Sequence, residues 1–546
     1  MPPLAAFLLV CYIRCFYKSI FFMQSDLKAL EFDGIRRILE RLTFSPYGAD
    51  AARNLEPAPN LDIAREMQRA VSAAREATDA YKLPRFNQVP DIRPALRQAA
   101  QPGAALPASG LHNLRQVMQT GLMLRELVSV YPALFARINE LKAPAALVEV
   151  LDKTISHAGR LREDATPALD ALHKQYHQVR QELEEQLKTR MASPDVAGMF
   201  DENSRVHWHG TRAVLAVRAT HADQMKGVRR GSIGGGRDIL IEPIEAVGHN
   251  NRLEAFNGQI EGQNQIVLRA VTDEVRAHLD DLNRLVDAIT WLDLALAAGQ
   301  FSAALNASAP MLVDEPKVVL EQAYHPQLLL QFQEKNIARL VPLSIRLGDG
   351  QSMMVITGPN TGGKTVVLKT VGLLATMAHC GLHLPSEGDC IIGNFNRVIV
   401  DVGDKQSLHN HLSTFAGHVE VLKRLLDEAD QHTLVLMDEL GTGTDPEEGA
   451  SLAMAVLDEL ASRHVHGIVT THLTPLKTFA DDHAYLCNAS MRFDYASLSP
   501  TYELEFGKSG QSLGLIIAEK NGLPGDLVNR ARSYLTQIHA AKQKPE

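Results

Sequence analysis

The run Gly358-Pro359-Asn360-Thr361-Gly362-Gly363-Lys364-Thr365 constrains this chain more than any other feature. An apolar run of β type, Met353 to Thr357, precedes it, and Val366 to Ala378 follows with helical spacing of apolar residues. Strand, glycine-rich loop and helix in that order make a phosphate-binding loop. The glycines let backbone N–H groups turn inward, at the positive end of the helix that follows. The pattern predicts that residues 358–365 cradle the phosphates of ATP, with Lys364 reaching the β- and γ-phosphates and the Thr365 hydroxyl ligating Mg²⁺. From about residue 316 strand, loop and helix alternate, which predicts an α/β domain with a largely parallel sheet.

Two further strand ends belong to the same site. Leu434-Val435-Leu436-Met437 is an apolar strand that runs into Asp438 and Glu439. A strand ending in a solvated acidic turn is common in isolation. Downstream of a phosphate loop, Asp438 is placed to hold Mg²⁺ through water, and Glu439 to activate the attacking water as general base. Ile468-Val469 leads into the polar trio Thr470-Thr471-His472, at the carboxyl edge where open parallel sheets bind ligands. His472 is a candidate sensor of the γ-phosphate, with a purely structural histidine as the alternative.

The first half of the chain reads as helical. From Asp26 to about residue 155 apolar residues recur three and four apart, interrupted at Leu55-Glu56-Pro57-Ala58-Pro59 and around Pro90 to Pro94. Leu169, Leu172, Tyr176, Val179, Leu183 and Leu187 form a heptad-like seam, and Leu268, Val271, Val275, Leu279, Leu282, Val286 and Ile289 form a second. Between them Arg205-Val206-His207-Trp208-His209, Ala213 to Arg218 and Ile239 to Pro243 read as strands separated by glycines. The expected shape is a lever: one helix out, a small β module at the tip, one helix back. Arg205, Arg212, Arg218, Lys226, Arg229, Arg230 and Arg237 make that tip basic. It suits phosphate contacts, and equally an exposed, solvated hairpin surface.

A length of 546 residues predicts two or three domains. A net charge of -9 does not by itself point to nucleic acid, so the basic tip stands against the average. The five cysteines (Cys11, Cys15, Cys380, Cys390 and Cys487) lack the pairing and density of a disulfide framework, and their usage suits a reducing cytoplasm. Leu4 to Tyr12 is apolar but too short to span a bilayer; a mis-called start with Met23 as initiator is the preferred reading, an uncleaved anchor the alternative. His379, Cys380 and His383 offer too few ligands at tetrahedral spacing for a zinc site.

The strings TGPNTGGKT, Leu412-Ser413-Thr414-Phe415, MDELGTGTDPEEG and Thr470-Thr471-His472 together resemble the MutS family of ABC-type ATPases. Within it the sequence is most similar to the bacterial branch that lacks mismatch-reading domains and is associated with suppressing recombination. The resemblance runs from about Leu30 to Arg532 and takes in Leu30-Glu31-Phe32-Asp33, Asp91-Ile92-Arg93-Pro94, Ile241-Glu242-Pro243 and Asn488-Ala489-Ser490. The ATPase strings are highly specific; the helical part is matched more loosely. It implies a homodimer in which Ser413 and Thr414 of one protomer meet the γ-phosphate held by the other, with Gly441 to Asp445 at the same junction. It also implies a clamp that embraces branched or mismatched DNA, moved by ATP, with the basic residues of the tip on phosphates.

The expected organisation is an extension over 1–22, a helical core and lever over 23–315 with a β clamp at about 198–248, an ABC-type ATPase domain over 316–535, and a tail over 536–546. ATP and Mg²⁺ are the expected cofactors, DNA and a second copy of the chain the expected partners, with no membrane and no other small-molecule substrate. A ribosome- or RNA-associated ATPase is the alternative. Well-known members of the branch end in a small MutS-related (Smr) domain, which is not found before Glu546, so nuclease activity is not expected. Phe200-Asp201-Glu202 matches a mismatch-wedge string, and His409-Asn410-His411 a nuclease label, by coincidence.

Overall fold

The computed structural model describes residues 23–80, 89–126, 131–132, 134, 144–201, 204–358, 362–402, 414–494, 499–507, 514–520 and 522–542. The chain divides into two compact units. One comprises Gln88–Ser129 with Arg137–Ile289; the other comprises Met1–Asn87, Val130–Ala136 and Thr290–Glu546. The proposed extension 1–22 lies outside the described residues.

In the first of these units the helix Pro167–Ala192 begins where the sequence signals it. Thr166 accepts the Leu169 N–H at 3.2 Å and Pro167 occupies the first turn. Four antiparallel strands follow: β1 (Val206–His209), β2 (Arg212–Arg218), β3 (Gly227–Ile233) and β4 (Asp238–Pro243), in the order β1-β2-β4-β3. Gly210, at φ +63°, opens the tight turn between β1 and β2. Ala213 to Val217 of β2 are all buried. One face, with Leu215 and Val217, packs on Val179, Leu183 and Leu187 of the helix. The other places Val214 and Ala216 against Leu240 and Ile233.

The return helix begins directly after β4 and runs through Ile244–Ala277, 34 residues or about 51 Å. The expected second seam does not lie on a single helix. It is divided at His278, beyond which Leu279–Ala304 begins. The face that meets Pro167–Ala192 lies further toward the amino end, where Ala246 and Leu253 share a core with Leu183 and Leu187. Ala246, Leu253, Ile260 and Val267 are buried at heptad spacing. The intervening residues are so polar that the repeat does not stand out in the sequence.

The second unit holds a six-stranded sheet ordered β10-β11-β12-β8-β13-β14, parallel except for its last pair. Its members are β8 (Met353–Thr357), β10 (Arg397–Asp401), β11 (Thr433–Met437), β12 (His466–Thr471), β13 (Leu486–Asp494) and β14 (Ser499–Phe506). Every residue of β8, β11 and β12 is buried, as expected of strands covered on both faces. Met353, Val355, Val435, Met437 and Val469 form a core with Leu422 and Leu425 of the helix Thr414–Glu428 and Ala453 and Leu457 of the helix Pro446–Ser462. A smaller mixed sheet, β5-β9-β6-β7, is built from β5 (Met311–Val313), β6 (Val318–Ala323), β7 (Leu343–Leu347) and β9 (Cys390–Gly393). The α + α/β architecture with a largely parallel sheet is therefore as the sequence predicts.

Residues 24–79 belong to this same unit. Buried Asp26 accepts from the Val400 amide at 3.0 Å and from Arg424 at 2.8 Å, and the Ala58 amide donates to the His379 carbonyl. The His379, Cys380 and His383 group is structural. His379 Nδ1 contacts the Ala375 carbonyl, His383 bridges the hydroxyls of Ser72 and Ser302, and burial pushes the Cys380 thiol up. Among the described residues no helix is long and apolar enough to cross a membrane.

Candidate nucleotide site and basic tip

The carboxyl ends of β8, β11 and β12 lie side by side, with Thr357 in register with Thr471 and Met437 with Val469. β8 leads into Gly358 at φ +136°, and Gly363, at φ +94°, precedes the helix Lys364–His379. Both conformations exclude a side chain at low cost. Pro359, Asn360 and Thr361 lie outside the described residues. Lys364 is 2% exposed, and its Nζ donates to the Gly358 carbonyl at 2.6 Å. Burial pushes its ammonium below the ordinary lysine range, with Lys477 acting in the same direction and Asp438 and Glu439 opposing. A buried cation beside a helix N-terminus is a site for an anion.

The next residue makes the link to β11. The Thr365 hydroxyl donates to Asp438 Oδ2 at 2.6 Å. The other carboxylate oxygen, Oδ1, accepts from the Thr470 hydroxyl at the end of β12. That same hydroxyl receives the Glu439 amide N–H at 2.9 Å. Glu439 itself sits at φ +54°, a conformation that costs a non-glycine residue energy and gathers at functional sites. Beyond it Gly441 (φ +86°) packs on the first turn of Pro446–Ser462. A Cβ on Gly441 would lie 2.7 Å from the Gly449 carbonyl oxygen, and one on Gly449 closer still to that of Gly441. Asp445 caps that helix, accepting the Glu447 amide at 2.9 Å.

The structure thus brings Lys364, Thr365, Asp438 and Glu439 together, and places His472, exposed, immediately after β12. Thr365 Oγ1 and Asp438 Oδ2 form a pair of hard oxygen ligands suited to Mg²⁺. Ser413 lies outside the described residues, as does the side chain of Thr414.

Two features of the site are not anticipated by the sequence. Buried Asp401, at the end of β10, accepts the His418 Nδ1 at 2.7 Å, and its carbonyl receives the Asp438 amide at 2.8 Å. Beside Gly363 lies a cavity of about 270 Å³ walled by Leu340, Val366, Met491 and Tyr502, with His325 in its lining. His325 is 7% exposed and its Nδ1 has no hydrogen-bond partner among the described residues; burial lowers its pKa to about 4. The cavity carries no local motif. A short-range search for acidic strand ends after the phosphate loop would have reached Asp401.

In the other unit the basic residues of the tip divide into two groups. Arg212 donates to Glu242 Oε1 at 2.6 Å and Arg230 to its Oε2 at 2.7 Å, while Asn250 Nδ2 donates to the same carboxylate at 2.9 Å. Glu242 is fully buried. Burial pushes its carboxyl up, but the hydrogen bonds from Asn250, Arg230 and Arg212 outweigh this and hold it below the ordinary range. Arg218 pairs with Asp201 and Arg229 with Asp223. Arg205, Lys226 and Arg237 are exposed, with no ion pair among the described residues. Phe200, from the wedge-like string, is core.

The phosphate-binding strand–loop–helix, the acidic end of β11 and the parallel sheet define a P-loop ATPase domain of ABC type. Residues 354–539 match MutS domain V, the family's ATPase domain. The match extends over nearly the whole chain to proteins named Endonuclease MutS2. That of Halothermothrix orenii is 31% identical over 528 residues, and that of Pelotomaculum thermopropionicum 34% over 520 residues; each alignment covers 94% of this chain and 65% of the relative. The protein of Thermomicrobium roseum is 34% identical over 526 residues, covering 94% and 66%. These matches support a member of the MutS family, of its MutS2 type. The chain spans just under two thirds of the length of these relatives.

Proposed function

We propose that the chain is a Mg²⁺-dependent ATPase that binds branched or mismatched DNA as a homodimeric clamp in the cytoplasm and restrains recombination. The observation that carries the ATPase half is the continuous hydrogen-bonded path Thr365–Asp438–Thr470–Glu439 at the carboxyl edge of the sheet. In this reading the amides of 358–365 and the Lys364 ammonium hold the phosphates. Thr365, and Asp438 through water, would hold Mg²⁺, which when bound would supply positive charge against the phosphate oxygens. Glu439 takes the proton of the attacking water. His472 reads the γ-phosphate, and Ser413 and Thr414 act across the dimer. The adenine of ATP would occupy the cavity beside Gly363, lined by Tyr502, Val366 and His325, whose Nδ1 has no hydrogen-bond partner among the described residues.

The MutS2 matches, and exposed Arg205, Lys226 and Arg237 with no ion pair among the described residues, support the DNA half. An RNA- or ribosome-associated ATPase would use the same basic surface, and no observation favours it. The proposal does not extend to the endonuclease of the relatives' name; incubation with supercoiled and branched DNA under Mg²⁺ and Mn²⁺ tests that separately. The decisive experiment is a salt-controlled titration of a four-way junction, a mismatched duplex and a perfect duplex, with and without ATP. Preference for the junction or the mismatch, changed by ATP, is the expected result. Equal weak binding to all three, untouched by nucleotide, would remove the DNA half.

A further inference from the structure

We infer that Glu163, His173 and His177 form a site for a divalent transition-metal ion, with Zn²⁺ the best match. No residue of the nucleotide site takes part in it. His173 and His177 lie one turn apart on the helix Pro167–Ala192 and therefore on one face, with ring centroids 6.1 Å apart. Glu163, in the loop that leads into this helix, faces both. Its Oε2 is 3.1 Å from His177 Nε2 and its Oε1 is 3.8 Å from His173 Nδ1. One ligand atom from each of the three residues lies within 4.8 Å of the other two.

The loop that presents Glu163 is fixed. Arg115, 3% exposed, donates to the carbonyls of Ile155 at 2.7 Å and Ser156 at 3.1 Å, and the Arg162 amide donates to the Thr154 carbonyl at 2.8 Å. The neighbouring charges are already matched: Arg162 with Asp164 at 2.9 Å, and Lys174 with Asp170 at 2.7 Å. Among the described residues no lysine or arginine pairs with Glu163, so its carboxylate answers only to the two imidazoles.

Zn–N and Zn–O distances of about 2.0–2.2 Å put tetrahedral ligand atoms roughly 3.3 Å apart. The cluster reaches that spacing through rotation of its more exposed members, Glu163 and His177, while His173 is largely covered. Two nitrogens and one carboxylate favour Zn²⁺, Ni²⁺ or Cu²⁺ over Mg²⁺, whose ligands are oxygens. Three protein ligands leave one position for water. A bound ion would fasten the 155–165 loop to the second and third turns of the helix, whose far half supports the β sheet of this unit.

The test uses untagged full-length chain stripped with EDTA and titrated with Zn²⁺ by calorimetry, with Co²⁺ absorption as a coordination signature. Wild type should bind Zn²⁺ in the micromolar range and melt at a higher temperature when loaded. Losing an outer partner of a metal ligand typically costs about 10–100-fold, so removing ligands directly in H173A/H177A should weaken binding by more than about 100-fold. Glu163→Gln should weaken it at least about tenfold. ATP turnover measured without Zn²⁺ should be unchanged in all variants. Wild-type affinity retained in H173A/H177A or in Glu163→Gln, or no micromolar binding by wild type, would overturn the assignment.

Discussion

The hydroxyl of Thr470 donates to the carboxylate of Asp438 and accepts the amide N–H of Glu439 at 2.9 Å. One side chain at the end of β12 therefore orients both acidic residues that end β11. Thr470→Val keeps the shape and removes both bonds. It should lower kcat by about 10- to 100-fold, since small misplacements of catalytic groups cost that much, and raise the Mg²⁺ concentration needed for half-maximal turnover. Unchanged steady-state kinetics would show that the two carboxylates are oriented by other contacts.

Glu439→Gln preserves size and the amide contact but not basicity. Turnover should fall by about 10²–10⁴-fold while binding of a fluorescent ATP analogue stays within about twofold. Normal hydrolysis in this variant would move the base elsewhere.

At the basic tip the two groups of residues should behave differently. Lys226→Glu with Arg237→Glu should weaken DNA binding for every sequence tested and reduce the slope of log K against log salt, by roughly 0.9 for each phosphate no longer neutralised. Arg212→Ala should instead destabilise the sheet by about 3–5 kcal/mol, because it leaves Glu242 buried without a main partner. Urea unfolding of the two sets checks this; a salt-slope change with no stability loss in Arg212→Ala would reverse the assignment.

Acid should loosen the unit that holds the nucleotide site. Burial lowers the pKa of His325 and of His383 to about 4. Between pH 6.5 and 4 the unfolded chain takes up these protons and the folded chain does not. Stability present above 6.5 is therefore lost as pH falls, by up to about 3 kcal/mol per imidazole. Asp293, raised to about 6 by burial despite hydrogen bonds from Ser45 and Phe44, works in the opposite direction. It protonates first in the folded state and returns up to about 3 kcal/mol between pH 6 and 3.8. The two histidines outweigh it. Thermal unfolding should show Tm falling from pH 7 toward 4.5, and His383→Asn should show a smaller fall; equal falls in both proteins would remove His383 from the account.

Much of the site could be read from the sequence because its parts are local. A phosphate loop needs its glycines, lysine and threonine at fixed intervals, and Asp438 and Glu439 mark the end of an unmistakable strand. The cavity beside Gly363 could not be read that way. His325 and Leu340 lie far in sequence from Val366, Met491 and Tyr502, and the cavity forms only where these segments pack together. At the tip, counting positive charges could not show that Arg212 and Arg230 face inward to Glu242. The heptad of Ala246, Leu253, Ile260 and Val267 escaped for a related reason: most residues between its positions are polar or glycine, and Asn250 is buried among them through bonds to Ala213 and Glu242.

The backbone contact between Gly441 and Gly449 has a consequence for how this chain tolerates change. Each glycine occupies the space a methyl group on the other would need, so neither position can be altered alone and the two cannot relieve one another together. The turn between them begins two residues after Glu439, and the Thr442 hydroxyl reaches back to the Glu439 carbonyl at 2.8 Å. A single added carbon with no chemistry of its own would thus push on the aim of Glu439, the proposed general base, which it never touches. Loss-of-function substitutions in a chain of this kind should accumulate at such silent atoms as readily as at the carboxylates themselves.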